Sequence, residues 1–214
     1  MHVMITGANR GIGAGLAAAY ADRGDQVTGT SRRGGDLARL DVTDPTQHRD
    51  LAASLEGRAV DLLVCNAGVY LDKGHAIETG YDAALWAETF AANVTGVFLT
   101  VQAILPELER SEQPKIAIIS SQMASQTHAP GGSYIYRASK AAALNLGRNL
   151  ATDLRPRGIA VGIYHPGWVR TDMGGGSASI GTEDSVRGLM ARFDELNMQT
   201  TGTFLTWDGQ PHDF

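Results

Sequence analysis

A chain of 214 residues with 43% hydrophobic and 19% charged residues has the size and makeup of a single globular α/β domain. Its net charge of −5 and pI near 5.6 exclude a basic nucleic-acid surface and a polybasic membrane patch. No run approaches the ~18 consecutive apolar residues of a membrane span, and the first residues already read as a strand, not a leader. Cys65 is the lone cysteine, so no internal disulfide can form; a reducing, cytoplasmic setting is expected, with Cys65 as a core thiol.

The chain opens with the apolar run His2–Thr6, then Gly7-Ala8-Asn9-Arg10-Gly11-Ile12-Gly13, then the helical run Ala14 to Tyr20. Strand, glycine turn and helix make the context of a dinucleotide fingerprint, here spaced G-x-x-x-G-x-G. Glycines let the backbone approach a pyrophosphate, and the helix N-terminus meets its charge with free N–H groups. A second strand, Gln26–Ser31, is followed by Arg32 and Arg33. NAD sites favour a carboxylate there for the ribose 2′-hydroxyl, whereas an Arg accommodates a 2′-phosphate. With Ser31 and Arg32 in that place and Arg10 in the glycine loop, the expected cofactor is NADP(H).

Residues 37–42 read as a third strand, and Asp44-Pro45 as the N-cap and first residue of a helix. Asp61–Cys65 is a continuous apolar strand of the buried parallel kind, ending in Asn66-Ala67-Gly68. One long helix is expected over 81–109, with Asn93 an unusual amide inside an apolar run. A fifth strand over 115–121 delivers Ser120 and Ser121 to its carboxyl end. A helix from about residue 133 to 157 carries Tyr136 and Lys140, and a sixth strand over 159–164 leads into His165-Pro166-Gly167. A glycine-rich segment, a helix over 182–198 and a final strand over 204–207 complete the chain. Alternating strands and helices predict a Rossmann-type doubly wound parallel sheet of about seven strands, with helices on both faces.

Tyr136 and Lys140 stand one helical turn apart on one face. An ammonium beside a phenol favours the phenolate, so the pair is expected to form an acid/base of lowered pKa. In open parallel sheets ligands bind beyond the carboxyl ends of the strands, where the glycine loop, Asn66 and the serine pair all converge. The six histidines show no metal-ligand spacing, so no metal site is expected. His128 reads as a solvent-exposed loop residue.

These motifs, Thr6–Gly13, Asn66-Ala67-Gly68, Asn93, Ser121, Tyr136-x-x-x-Lys140 and Pro166-Gly167-x-x-x-Thr171, resemble the short-chain dehydrogenases/reductases across essentially the whole chain. Residues 131–140 and 202–209 are similar to the small carbonyl-reductase branch that includes the C-factor and sniffer proteins. The resemblance implies NADPH-dependent reduction of an aldehyde or ketone. Tyr136 would be the proton donor, Ser121 the partner of the substrate oxygen, and Asn93 the anchor of a relay water. Lys140 would lower the tyrosine pKa and hold the nicotinamide ribose.

The cofactor phosphates would lie on Gly7, Asn9, Arg10, Gly11, Ile12 and Gly13. Ser31, Arg32, Asp41 and Val42 would surround the adenosine end, and Asn66, Ala67 and Gly68 its ribose. Pro166, Gly167, Val169 and Thr171 would face the nicotinamide. Homo-oligomers paired through the long helices are also implied, with a small-molecule substrate as the other partner and neither nucleic acid nor membrane. The other reading is a non-catalytic NADP(H)-binding regulator on the same fold.

Two departures from the family pattern stand out. The usual serine-to-tyrosine spacing counts from Ser121 to Tyr134, but only Tyr136 has a lysine at i+4, and a two-residue insertion in the loop 122–133 accounts for the offset. Second, the segment between Thr171 and Thr182, where the family builds its substrate lid, is short and rich in glycine. Such a lid implies an open or mobile pocket.

Overall fold

The computed structural model describes residues 1–214. Seven parallel strands form one sheet: β1 (His2–Ile5), β2 (Gln26–Ser31), β3 (Ala38–Arg39), β4 (Leu62–Cys65), β5 (Lys115–Ile119), β6 (Ala160–His165) and β7 (Phe204–Thr206). Their spatial order is β3-β2-β1-β4-β5-β6-β7. The order reverses between β1 and β4, and that switch point opens a crevice at the carboxyl ends of the strands. The six helices are α1 (Gly11–Asp22), α2 (Pro45–Ser54), α3 (Ala83–Phe90), α4 (Gly96–Leu108), α5 (Tyr134–Leu154) and α6 (Thr182–Glu195).

The strands β1, β4 and β6 are buried at every position, because helices cover both faces of the sheet. On one face Met4, Leu63, Ile116 and Ile118 pack with Val101, Ile104 and Leu108 of α4 and Leu150 and Leu154 of α5. On the other face Val3, Ile5, Val64 and Ala117 pack with Leu16 and Tyr20 of α1 and Leu189 and Phe193 of α6. Gly147 allows α5 to lie close on the sheet, since a Cβ there would stand 2.6 Å from Ile163 Cγ1.

Several boundaries differ from those expected of the sequence. The third strand is a two-residue ladder at the sheet edge, not a strand over 37–42, because Asp41 turns away to accept from Thr43 N and Thr43 Oγ1 at 3.0 and 2.8 Å. Asp44 does cap α2, accepting from Thr46 N at 2.8 Å. The single helix expected over 81–109 is interrupted by a π-helical turn, Ala91–Thr95, that carries Asn93. Strand β5 stops at Ile119, and Ser121 begins a short 3₁₀ turn over Gln122–Ala124.

The stretch Ala83–Leu108 contains no unbroken apolar run of span length, as expected of the sequence. Its mean hydropathy of 1.4 makes it long and apolar enough to cross a membrane by length and composition. Glu88, Asn93 and Gln102 interrupt its apolar residues. In the fold the stretch packs against α2, α5 and the sheet.

Candidate active site

A cleft of about 960 Å³ runs along the carboxyl ends of the strands. That volume lies in the range of small-molecule and cofactor sites, about 300–1,000 Å³. Its floor is the loop between β1 and α1. Gly7 takes φ +68°, and a Cβ on it would meet Ala67 Cα at 3.0 Å. Helix α1 begins without a side-chain cap on Arg10, so the first N–H groups of the helix face the cleft unpaired by side chains. A helix start of this kind receives phosphate.

Asn66 braces the floor, its amide donating to Thr6 O at 3.0 Å and Gly7 O at 3.1 Å. At the far end Ser31, Arg32, Asp41 and Val42 line the cleft, joined by Arg33, Leu40 and Thr43. Arg32 and Arg33 are exposed and take part in no ion pair, whereas Arg10 bonds Asp172 Oδ2 at 2.9 Å across the cleft. No carboxylate competes for the two free guanidinium groups.

Five of the residues singled out from the sequence do not border the cleft. Gly13 sits beneath the floor, where a Cβ would be 2.3 Å from Gly7 O and 2.5 Å from Asn66 Nδ2. Gly167 packs against Ile180 and Trp207, and Val169 is buried in a bridge with Ile180. Asn93 and Ser121 are buried and are not among the residues that border it, Ser121 lying next to Tyr136, which does. Conversely, the cleft includes Val69, Glu88, Ala92, Arg170, Asp172, Met173 and Thr182, for which no short motif gave a signal.

Tyr136 and Lys140 both line the cleft and are nearly inaccessible to solvent. Tyr134, the rival phenol, is 39% exposed and turned edge-on to Tyr81 at 5.5 Å. Lys140 Nζ lies 5.7 Å from the Tyr136 ring centre and donates to Ile119 O at 3.0 Å. The expected lowering of the tyrosine pKa is not found in this state. Burial pushes the Tyr136 phenol up to about 12, opposed by the neighbouring Ser121 hydroxyl. Burial likewise pulls the Lys140 ammonium down to about 8. Helical spacing brings the two groups together, but burial, not the other group, sets the direction of each shift.

The serine pair divides its work. Ser120 Oγ donates to Lys140 O at 3.1 Å, tying the end of β5 to α5, while Ser121 Oγ accepts from Met123 N at 3.1 Å. Asn93 uses its whole amide: Oδ1 accepts from Val69 N at 2.8 Å, and Nδ2 donates to Val69 O at 2.9 Å and Ser139 Oγ at 3.0 Å. This holds the loop after β4 against α5, and Gly68 passes so close that a Cβ would meet Asn93 Oδ1 at 3.0 Å and Lys140 Nζ at 3.5 Å.

The glycine-rich segment is tied down at several points. Ile180 N donates to Trp168 O at 3.1 Å, Arg170 N to Ile180 O at 3.0 Å, and Trp168 Nε1 to Gly174 O at 2.9 Å. His128 is exposed, 4.0 Å from Asp213. Cys65 is buried, which pushes its thiol up to about 12 and removes it from thiolate chemistry.

Comparison with known proteins gives this arrangement its lineage. The sequence model of the short chain dehydrogenase family matches residues 1–179. The chain belongs to that family. C-signal of Myxococcus xanthus is 41% identical over 152 residues, covering 70% of this chain and 90% of that protein. Among solved structures, NADPH-bound carbonyl reductase from chicken fatty liver superposes with a TM-score of 0.91 at 29% identity, covering 100% of this chain and 98% of that one. Carbonyl reductase Sniffer of D. melanogaster gives 0.92 at 26%, covering 100% and 99%. This short chain dehydrogenase therefore shares the whole fold of carbonyl reductases, one of them holding NADPH.

Proposed function

We propose that this member of the family is an NADPH-dependent carbonyl reductase, built as one domain with cofactor and substrate sharing the cleft. The observation that carries the cofactor reading is the end of β2, where Ser31, Arg32 and Arg33 stand in place of the carboxylate of an NAD site and neither arginine is in an ion pair, not even with Asp41 of the same end. A guanidinium pairs well with a 2′-phosphate, and a carboxylate there would repel it. Arg10 and the uncapped start of α1 would hold the pyrophosphate.

The cofactor, when bound, supplies hydride. Tyr136 then protonates the developing alkoxide, and its phenol, held protonated by burial, has that proton throughout the physiological range. Ser121, whose hydroxyl lies beside the same phenol, would donate to a substrate oxygen held at Tyr136. Lys140 keeps a positive charge next to the phenolate that forms, and Asn93 holds the loop that covers Lys140. The substrate is a small aldehyde or ketone. A non-catalytic NADP(H)-binding regulator is the other reading, favoured by the 41% identity to C-signal. All four catalytic residue types stand in place here, which a protein released from catalysis had no need to keep.

The test is consumption of NADPH and of NADH with a panel of aldehydes and ketones. Wild type should consume NADPH in preference, and Arg32→Ala should lose roughly fivefold to tenfold of that preference, the worth of one exposed charge-assisted contact. Equal use of both cofactors by wild type contradicts the NADP(H) assignment.

A further inference from the structure

Helix α5 carries Tyr136 in its first turn, and its own sequence does not cap that turn. The N-cap residue Ser133 has φ +48° and makes no side-chain cap bond. The cap comes from a different part of the chain. Asp72, fully buried in the loop after β4, accepts from Ile135 N at 2.9 Å through Oδ2 and from Tyr136 N at 3.2 Å through Oδ1.

A buried carboxylate is costly unless its charge is met, and Asp72 has no ion-pair partner. Its charge is met by the two N–H groups and by the positive end of a 21-residue helix. A helix needing only a cap could take it from a serine or aspartate at its own N-cap, at no such desolvation cost.

The same loop grips this turn twice more. The Tyr70 ring stacks on the Tyr136 ring with centres 4.3 Å apart, and the Tyr70 and Ser133 hydroxyls share a hydrogen bond of 2.5 Å. Asn93 in turn holds Val69 at the root of the loop. Asp72 and Tyr70 reach the backbone and ring of Tyr136 directly, and the other contacts brace the loop and turn around it.

We propose that Asp72 is the positioning residue of Tyr136, its carboxylate fixing the first turn of α5 and so the place of the phenol; this rests on the reductase reading of the site. Asp72 is buried and does not border the cleft, so it acts through the helix. A misplacement of a reacting group by about 1 Å costs on the order of a hundredfold in rate. An Asn in its place keeps one acceptor, whereas its NH₂ meets the second N–H as a donor facing a donor.

The test combines kinetics and crystallography on Asp72→Asn, with Asp72→Ala as the full deletion. The expected result is a kcat reduced roughly tenfold to a hundredfold in Asp72→Asn and further in Asp72→Ala, with NADPH affinity unchanged. The Asp72→Asn structure should show the phenol displaced from its wild-type place. A cap with a purely structural role would instead lower thermal stability and leave kcat per folded molecule unaltered. If Asp72→Ala does not fold, Asp72→Asn alone decides. Retained kcat, or a phenol that has not moved, overturns the proposal. A wild type that reduces no carbonyl refutes the reductase reading, and the place of the phenol in the variant still decides the role of Asp72.

Discussion

Removal of the Asn93 amide tests how the catalytic helix is held to the sheet. In Asn93→Ala, Val69 N–H and Val69 C=O lose their partners together, and Ser139 Oγ loses a donor. The residue is only 1% exposed, so water does not replace these bonds freely. Each net hydrogen bond contributes about 1 kcal/mol, and three lost together give a destabilisation of about 3 kcal/mol. For a chain of this size that corresponds to a fall in Tm of roughly 6–12 °C. The assay is thermal and urea unfolding followed by circular dichroism, with Ser139→Ala as the control that removes one Asn93 bond and the Ser139 bond to Tyr136 O, expected to lose about 2 kcal/mol. The loop over Lys140 is anchored by the same amide, so residual reductase activity should fall as well. An Asn93→Ala loss below about 1 kcal/mol, smaller than that of the control, would refute the view that the amide ties loop to helix.

Two more predictions follow from burial and close packing. Carbonyl reduction should be level at neutral pH and decline as pH rises through about 8, where Lys140 loses its charge while Tyr136 stays protonated. Because folding pulls the lysine pKa down, its stability penalty is complete below about 8 and fades towards the ordinary lysine value of 10.5, where the unfolded chain also releases the proton. A rate profile that is flat to pH 9 or beyond, or an alkaline limb preserved in Lys140→Met, would assign the limb to another group. Gly13→Ala should cost about 1–3 kcal/mol and weaken NADPH binding, since its methyl would lie 2.3 Å from Gly7 O and force the cleft floor to shift. Wild-type affinity in that variant, measured by calorimetry, contradicts the idea that Gly13 supports the floor from below.

The sheet was legible because its strands are apolar runs separated by helical ones, and five residues such as Asp61–Cys65 announce a strand buried on both faces. The cleft followed from the placement of glycines and serines at strand ends. The third strand was overread because 37–42 is apolar enough to pair, yet Asp41 prefers a turn with Thr43, an alternative that composition does not reveal. The break in the long helix at Asn93 was likewise hidden. Its amide bonds to Val69, a tertiary partner that no periodicity marks.

Asp72 escaped notice for the same reason. A signal existed at the other end of the contact, in a helix that opens at Tyr134 without an Asp or Glu in its first turn. Spacing also placed Tyr136 beside Lys140 correctly but said nothing of how deeply both are buried. Burial reversed the expected direction of the tyrosine shift.

The most direct test of the account is the rate of NADPH consumption with an aldehyde that wild type reduces, compared with that of Tyr136→Phe. The variant loses only the proton donor and keeps the ring stacked on Tyr70. NADPH affinity should be retained while turnover falls by a factor on the order of a hundred or more. Turnover within about twofold of wild type would show that the proton comes from elsewhere and contradict the assignment of this cleft as a Tyr136-dependent reductase site.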